Sequence, residues 1–163
     1  MPQVIRPTDD QARALAQSLL AEARYCALAV TDPETGTPYV ARVALGLAPD
    51  RAPVSLISDL AHHTRALRAN ANCALLVGEP GPKGDPLTHP RLTVQARASF
   101  VLREGAEHAA LTTYYLQSHP KSQLYIGFTD FGFVRFTPIA AHLNGGFGKA
   151  FRLTPQDLAV PVT

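Results

Sequence analysis

The sequence predicts a mainly β fold carrying helices, with about six strands forming a mostly antiparallel barrel in one domain. Three observations predict it. Short apolar runs with period-two alternation recur along the chain, as half-buried strands require. Only three stretches have helical spacing, and they interrupt the strands instead of alternating with them as a parallel βαβ sheet demands. The segments between runs are rich in proline and glycine and read as loops, with no linker that would mark a second domain. A length of 163 residues suffices for one domain with a real core, so residues 1–163 are expected to form a single domain.

The first element is a helix over roughly residues 9–23. Thr8 with Gln11 three residues on forms a capping box, and Asp9 and Asp10 suit the positive end of the helix dipole. Ala12, Leu15, Ala16, Leu19, Leu20 and Ala23 fall on one stripe. Residues 25–31 and 39–47 flank the turn Asp32-Pro33-Glu34-Thr35-Gly36 and read as a hairpin. In its second arm Tyr39, Ala41, Val43, Leu45 and Leu47 share one face, while Val40, Arg42, Ala44 and Gly46 share the other. A short strand is expected at 54–58, a short helix from His62 to near Asn70, and a buried strand at 73–77. Residues 78–90 form a loop, and 92–102 a long strand. A helix at 104–118 takes Ala106, Ala109, Ala110, Thr113 and Leu116 as its apolar stripe and ends before Pro120, leaving His108 to solvent. Strands at 131–137 and 140–144 lie on either side of Pro138, and residues 145–150 form a loop.

Composition narrows the function classes. Hydrophobic residues are 46% of the chain and charged residues 17%, an ordinary globular balance. A formal charge of +2 without a Lys/Arg run gives no footprint for nucleic acid. The N-terminal residues lack the basic-then-apolar pattern of a signal peptide, and no apolar run reaches the roughly 20 residues that span a bilayer. Cys26 and Cys73 sit in strand-like apolar runs and read as buried free thiols, which suits a reducing cytoplasm. No metal site is expected, because histidines and cysteines show no ligand spacing. No Ser-His-Asp order or carboxylate pair supports hydrolysis.

Five stretches carry a resemblance. Ser58-Asp59-Leu60-Ala61-His62-His63-Thr64-Arg65-Ala66-Leu67 is the first, and Thr35-Gly36-Thr37-Pro38-Tyr39-Val40-Ala41-Arg42-Val43 the second. Pro90-Arg91-Leu92-Thr93-Val94-Gln95-Ala96-Arg97-Ala98 is the third. Tyr125-Ile126-Gly127-Phe128-Thr129-Asp130-Phe131 and Gly146-Phe147-Gly148-Lys149-Ala150 complete the series in order. Together they resemble the pyridoxamine 5′-phosphate oxidase-like FMN-binding split-barrel superfamily, in its haem-utilisation (HugZ-like) branch, over residues 12–151.

The resemblance implies a six-stranded antiparallel split β-barrel, a homodimer, and FMN at the dimer interface. It assigns cofactor binding to Arg42 and Val43 on a strand, to Ser58, and to His63, Thr64 and Arg65 at the start of the following short helix. Arg91 corresponds to a polar position near the flavin ring. The assignment is physically coherent: a phosphate dianion suits the outward N–H groups of a helix start, and an arginine adds a bidentate contact. Ala66 replaces the family's asparagine and removes one side-chain hydrogen bond. Haem-degrading relatives carry a further C-terminal domain, and this sequence stops at Thr163, so efficient haem degradation is not expected. The basic, aromatic substrate-binding tail of the pyridoxamine-phosphate oxidases is likewise missing from residues 153–163.

The expected function is therefore an FMN-binding flavoprotein, an oxidoreductase acting on an unidentified small molecule with no assigned catalytic side chain. The alternative is a non-enzymatic FMN- or haem-binding protein for storage, sensing or regulation. Plainer readings stand beside the site residues: Arg42 as a barrel-rim arginine paired with an acid, His62 and His63 as a solvated turn, and Asp130 as part of a turn leading into a strand.

Overall fold

The computed structural model describes residues 4–160; the first three and last three residues, to which the reading of the two chain ends extends, lie outside it. Among the described residues nine strands, β1 (Ile5–Arg6), β2 (Tyr25–Thr31), β3 (Pro38–Ala44), β4 (Gly46–Leu47), β5 (Pro53–Ser58), β6 (Asn72–Val77), β7 (Arg91–Phe100), β8 (Phe131–Asn144) and β9 (Ala150–Leu153), form one sheet. Three helices decorate it: α1 (Asp10–Glu22), α2 (His62–Ala69) and α3 (Ala106–Ser118). Along the main path the order is β1-β9-β8-β7-β6-β2-β3, with β5 joined to β8 and β4 off that path. Every pairing is antiparallel except β1 with β9. The mainly β class with helices is as expected, but β1, β4 and β9 bring the strands to nine. Strands of two to four residues carry too few side chains for periodicity to register.

The alternation sorts the faces. On β2, Cys26, Leu28 and Val30 point into the core and alternate with half-buried neighbours. Leu75 and Val77 of β6, Leu92 and Val94 of β7, and Ala141 and Leu143 of β8 continue the inner layer. Fully burying each such leucine contributes about 1.5–3 kcal/mol relative to leaving it exposed. The opposite face of the central strands carries one row set by register: Arg42 opposite Ala27, Ala27 opposite Leu76, and Leu76 opposite Thr93. Val40 and Leu76 on this outer face are 61% and 44% exposed.

Four local expectations need correction. Helix α1 is capped by Asp9, whose carboxylate accepts from the Ala12 amide at 2.8 Å. Thr8 instead donates to the Arg152 carbonyl on β9. The segments flanking Pro138 are one strand, because the ladder with β7 absorbs the interruption as a bulge. Pro138 pairs with Ala96 and Ala140 with Gln95, leaving Ile139 as the extra, exposed residue. Cys73 is half-buried and only Cys26 fully so. Finally, α3 presents the face opposite to the expected one. Leu111 and Tyr115 are its buried residues, while Ala106, Ala109, Ala110 and Thr113 are exposed. Tyr115 packs edge-on to Phe133 and stacks on His119, and His108 tilts against Phe133. Large aromatic surface outweighs a stripe of alanines in choosing the buried side.

Candidate functional site

The β2–β3 hairpin turns on Asp32, whose side chain accepts from the Glu34 amide at 2.8 Å. Gly36 lies at φ +70°, in the left-handed region the turn needs. This hairpin carries Arg42 out on the exposed face of β3, with Val43 pointing inward and buried. Only the backbone of Val43 is thus available to a ligand. The Arg42 guanidinium lies 5.6 Å from the centre of the Tyr25 ring. Among the described residues it has no carboxylate partner, so the barrel-rim ion pair considered from sequence does not form.

Arg42 and Arg91 line one cleft of about 800 Å³ between the end of α1, β2, β3 and the loop leading into β7. Arg24 also lines it, as do Glu22 and Glu79. Arg91 donates to the carbonyls of Leu87 and His89 at 3.1 and 3.5 Å. None of the three guanidinium groups pairs with a carboxylate among the described residues. The walls near Arg42 are Tyr25, Val40 and Leu76, with Ala27 as a small floor residue. The cleft therefore offers positive charge beside a flat apolar surface.

Ser58, His63, Thr64 and Arg65 gather elsewhere, where β5 runs into α2; none of them lines the cleft. Two of their hydroxyls are already engaged. Ser58 donates to the Asp130 carboxylate at 2.7 Å and accepts from the Leu60 amide. Thr64, 1% exposed, donates to the Ser58 carbonyl at 2.6 Å. These bonds shape the turn into α2. The helix is preceded by Ala61, which supplies no side-chain cap, and the Thr64 and Arg65 amides bond the Ala61 carbonyl, which leaves the His62 and His63 amides without a side-chain cap. His63 is half-buried, and burial, with His62 beside it, pushes its pKa below the usual histidine value.

His62 has a connection that the sequence did not predict. Its Nε2 sits 3.1 Å from the Asp32 carboxylate, its Nδ1 lies 3.2 Å from the Arg65 guanidinium, and its ring meets Tyr39 edge-on at 4.8 Å. The start of α2 is thereby clamped to the hairpin that carries Arg42. The Glu34 amide, and then His62, hold the Asp32 carboxyl below the ordinary carboxylate value. No spacing in the sequence links positions 32 and 62, because the pair forms only when β2 and α2 pack. Asp130, read as part of a turn, is the acceptor for Ser58.

With this geometry in view, the chain matches the protein-family description "Pyridoxamine 5′-phosphate oxidase" over residues 12–144. The chain belongs to the pyridoxamine 5′-phosphate oxidase family. Its sheet and helices are those of the split barrel of this family. A curated relative, the chloroplastic haem oxygenase HOZ of Arabidopsis thaliana, is 32% identical over 116 residues, which cover 71% of this chain. The chain spans about a third of that relative's length, 34%. Among solved structures, a haem-binding protein of Mycobacterium smegmatis superposes with a TM-score of 0.82 at 28% identity, covering 95% of this chain and 61% of that one. Campylobacter jejuni ChuZ superposes with a TM-score of 0.82 at 16% identity, covering 93% of this chain and 63% of that one, and so bears on the fold alone. Among the described residues of this oxidase-family member, no helix is long and apolar enough to cross a membrane.

Proposed function

We propose that this protein binds FMN and uses it as an oxidoreductase on a small molecule. The observation that carries the reading is Arg42, a guanidinium without a carboxylate partner among the described residues, on the sheet face beside Tyr25, Val40 and Leu76. An uncompensated arginine next to apolar wall is matched by a ligand with an anionic group and a flat ring. The residues fit such a group unequally. Arg42 would hold the phosphate within the cleft, and the uncapped amides at the start of α2, with His63 and Arg65, form a second anion-binding group that does not line it. Ser58 and Thr64 serve the turn that aims those amides. Arg91 would face the ring system, and Val43 would contribute backbone only. Bound FMN would supply the electron transfer, while the protein contributes position and polarity.

The exposed outer row that includes Val40 and Leu76 supports a homodimer, since a second copy laid on it would cover apolar surface and enclose the cofactor. Localisation in the cytoplasm belongs to the same proposal, supported by two free thiols. The test is titration of the purified protein with FMN and with riboflavin, followed by absorbance and fluorescence. Saturable FMN binding with much weaker riboflavin binding is expected, and equal affinities would remove the phosphate from the reading. Turnover with a reduced nicotinamide would then place it among enzymes.

A second reading, haem binding, is favoured by the relatives in Arabidopsis and Mycobacterium. Adding haem and following its Soret band distinguishes the two. A saturable, red-shifted band that FMN does not displace would support haem as the ligand.

A further inference from the structure

The thirteen-residue span between β6 and β7, residues 78–90, is long for a connection between adjacent antiparallel strands, which a tight turn could join. Its two ends are pinched together. Gly78 has φ +102°, and a Cβ there would lie 2.5 Å from the Pro90 carbonyl oxygen and 2.8 Å from the Arg91 Cα. Between these ends a single side chain ties the loop across itself. The His89 ring accepts the Gly81 amide on Nδ1 at 3.1 Å and reaches the Lys83 carbonyl through Nε2 at 2.7 Å. An amide can only donate and a carbonyl can only accept, so both bonds together fix the neutral Nε2–H tautomer. Gly81 leaves room for the ring: a Cβ there would be 3.1 Å from His89 Cε1.

The same loop walls the Arg42/Arg91 cleft through Pro80, Pro86 and Leu87. Its Leu87 and His89 carbonyls also hold the Arg91 guanidinium. We propose that residues 79–89 are a pH-sensitive strap over this cleft, pinned by neutral His89, which positions Arg91 and lets go when His89 takes up a proton. Protonation places a hydrogen on Nδ1 facing the Gly81 N–H, so the acceptor is lost and two donors oppose each other. The charged groups around the ring are Glu79, Lys83 and Asp85 on the strap and Arg91 on β7. Across the cleft stand Glu22 and Arg24 at the end of α1 and Arg42 on β3. The neighbouring turn 145–148 brings no charged side chain.

The effect on ligand affinity rests on the FMN reading; the strap itself does not. The experiment compares wild type with His89→Gln, whose amide can accept and donate as the neutral ring does without titrating. Imidazole nitrogen NMR at about pH 7.5 is expected to show the Nε2–H tautomer of His89. On acidification to about pH 5.5 the Gly81 amide, corrected for intrinsic exchange, should lose protection roughly 3- to 10-fold in wild type and stay constant in His89→Gln, the loss of one neutral hydrogen bond. FMN affinity should fall more steeply with acid in wild type than in His89→Gln, a comparison that cancels the titration of the FMN phosphate itself. An Nδ1–H tautomer at neutral pH, or a Gly81 amide indifferent to pH, overturns the strap. A strap that opens in a protein that never binds FMN upholds the device and overturns the ligand assigned to the cleft.

Discussion

At the scale of single residues, Arg42 was legible because it is the lone charge on a small-residue strand face. What the sequence could not reveal was that its partner is an aromatic ring and not an acid. Replacing it with alanine is expected to weaken FMN binding about 10- to 150-fold, the worth of hydrogen bonds to a charged group, while riboflavin affinity stays unchanged. Isothermal titration of both ligands checks this, with an unaltered melting temperature as the control. Val43 was assigned with its neighbour, yet consecutive strand residues face opposite ways, and it belongs to the core. Cys26 is buried as its apolar strand suggests, whereas Cys73 is half-buried. Burial pushes Cys26 and Cys73 up to about 12. A thiol reagent at pH 8 should therefore label the folded protein slowly, Cys26 least of all, and react with both cysteines after denaturation. Because those folded-state values lie above the unfolded ones, the unfolded chain loses its protons first. Stability is therefore expected to decline as pH rises above about 9.

At the scale of elements, helix α1, the hairpin and the long central strands follow from periodicity and turn chemistry, but α3 does not. Its alanines look like a stripe, yet Leu111 and Tyr115 offer more surface to bury and win the core side. Tyr115→Ala is expected to cost about 3–5 kcal/mol by analogy with large aromatic truncations, and Leu111→Ala about 2–5 kcal/mol. Ala110→Ser, on the exposed face, should stay within about 0.5 kcal/mol. Urea unfolding of the three variants measures this, and a reversed order would mean the alanine face is the buried one. The clamp from Asp32 through His62 to Arg65 was illegible for a different reason. It joins two elements far apart in sequence, and each member alone looks like a solvated polar residue.

For the whole molecule, three carboxylates sit below their ordinary value in the fold. Asp157 is held down by the Thr154 amide and then Arg13, Asp59 by Arg103 and then Arg68, and Asp32 by the Glu34 amide and then His62. Depressed folded-state values contribute stability that is complete above the unfolded value of about 3.9 and is lost as pH falls through the lower folded values. Thermal melts should therefore drop in midpoint below about pH 4, less steeply for Asp157→Asn than for wild type. Assembly is testable at the same scale. Val40→Asp places a charge on the exposed outer row and is expected to convert a sedimenting dimer to monomer without unfolding it. A wild type that sediments as a monomer would remove the dimer. The fold class was readable because its long strands carry the pattern, whereas β1, β4 and β9 are only two to four residues long, and β1 exists only as the partner of a strand from the far end of the chain.

The pairing of β1 with β9 also sets an order of events during synthesis. Thr8, at the edge of β1, donates to a carbonyl 144 positions later. At about 5–20 residues per second, a ribosome needs roughly 7–30 s to deliver that partner after the first strand has emerged. For that interval the N-terminal strand has no ladder to join. A nascent chain arrested at residue 144 should therefore expose residues 4–8 to protease while its central strands are already protected.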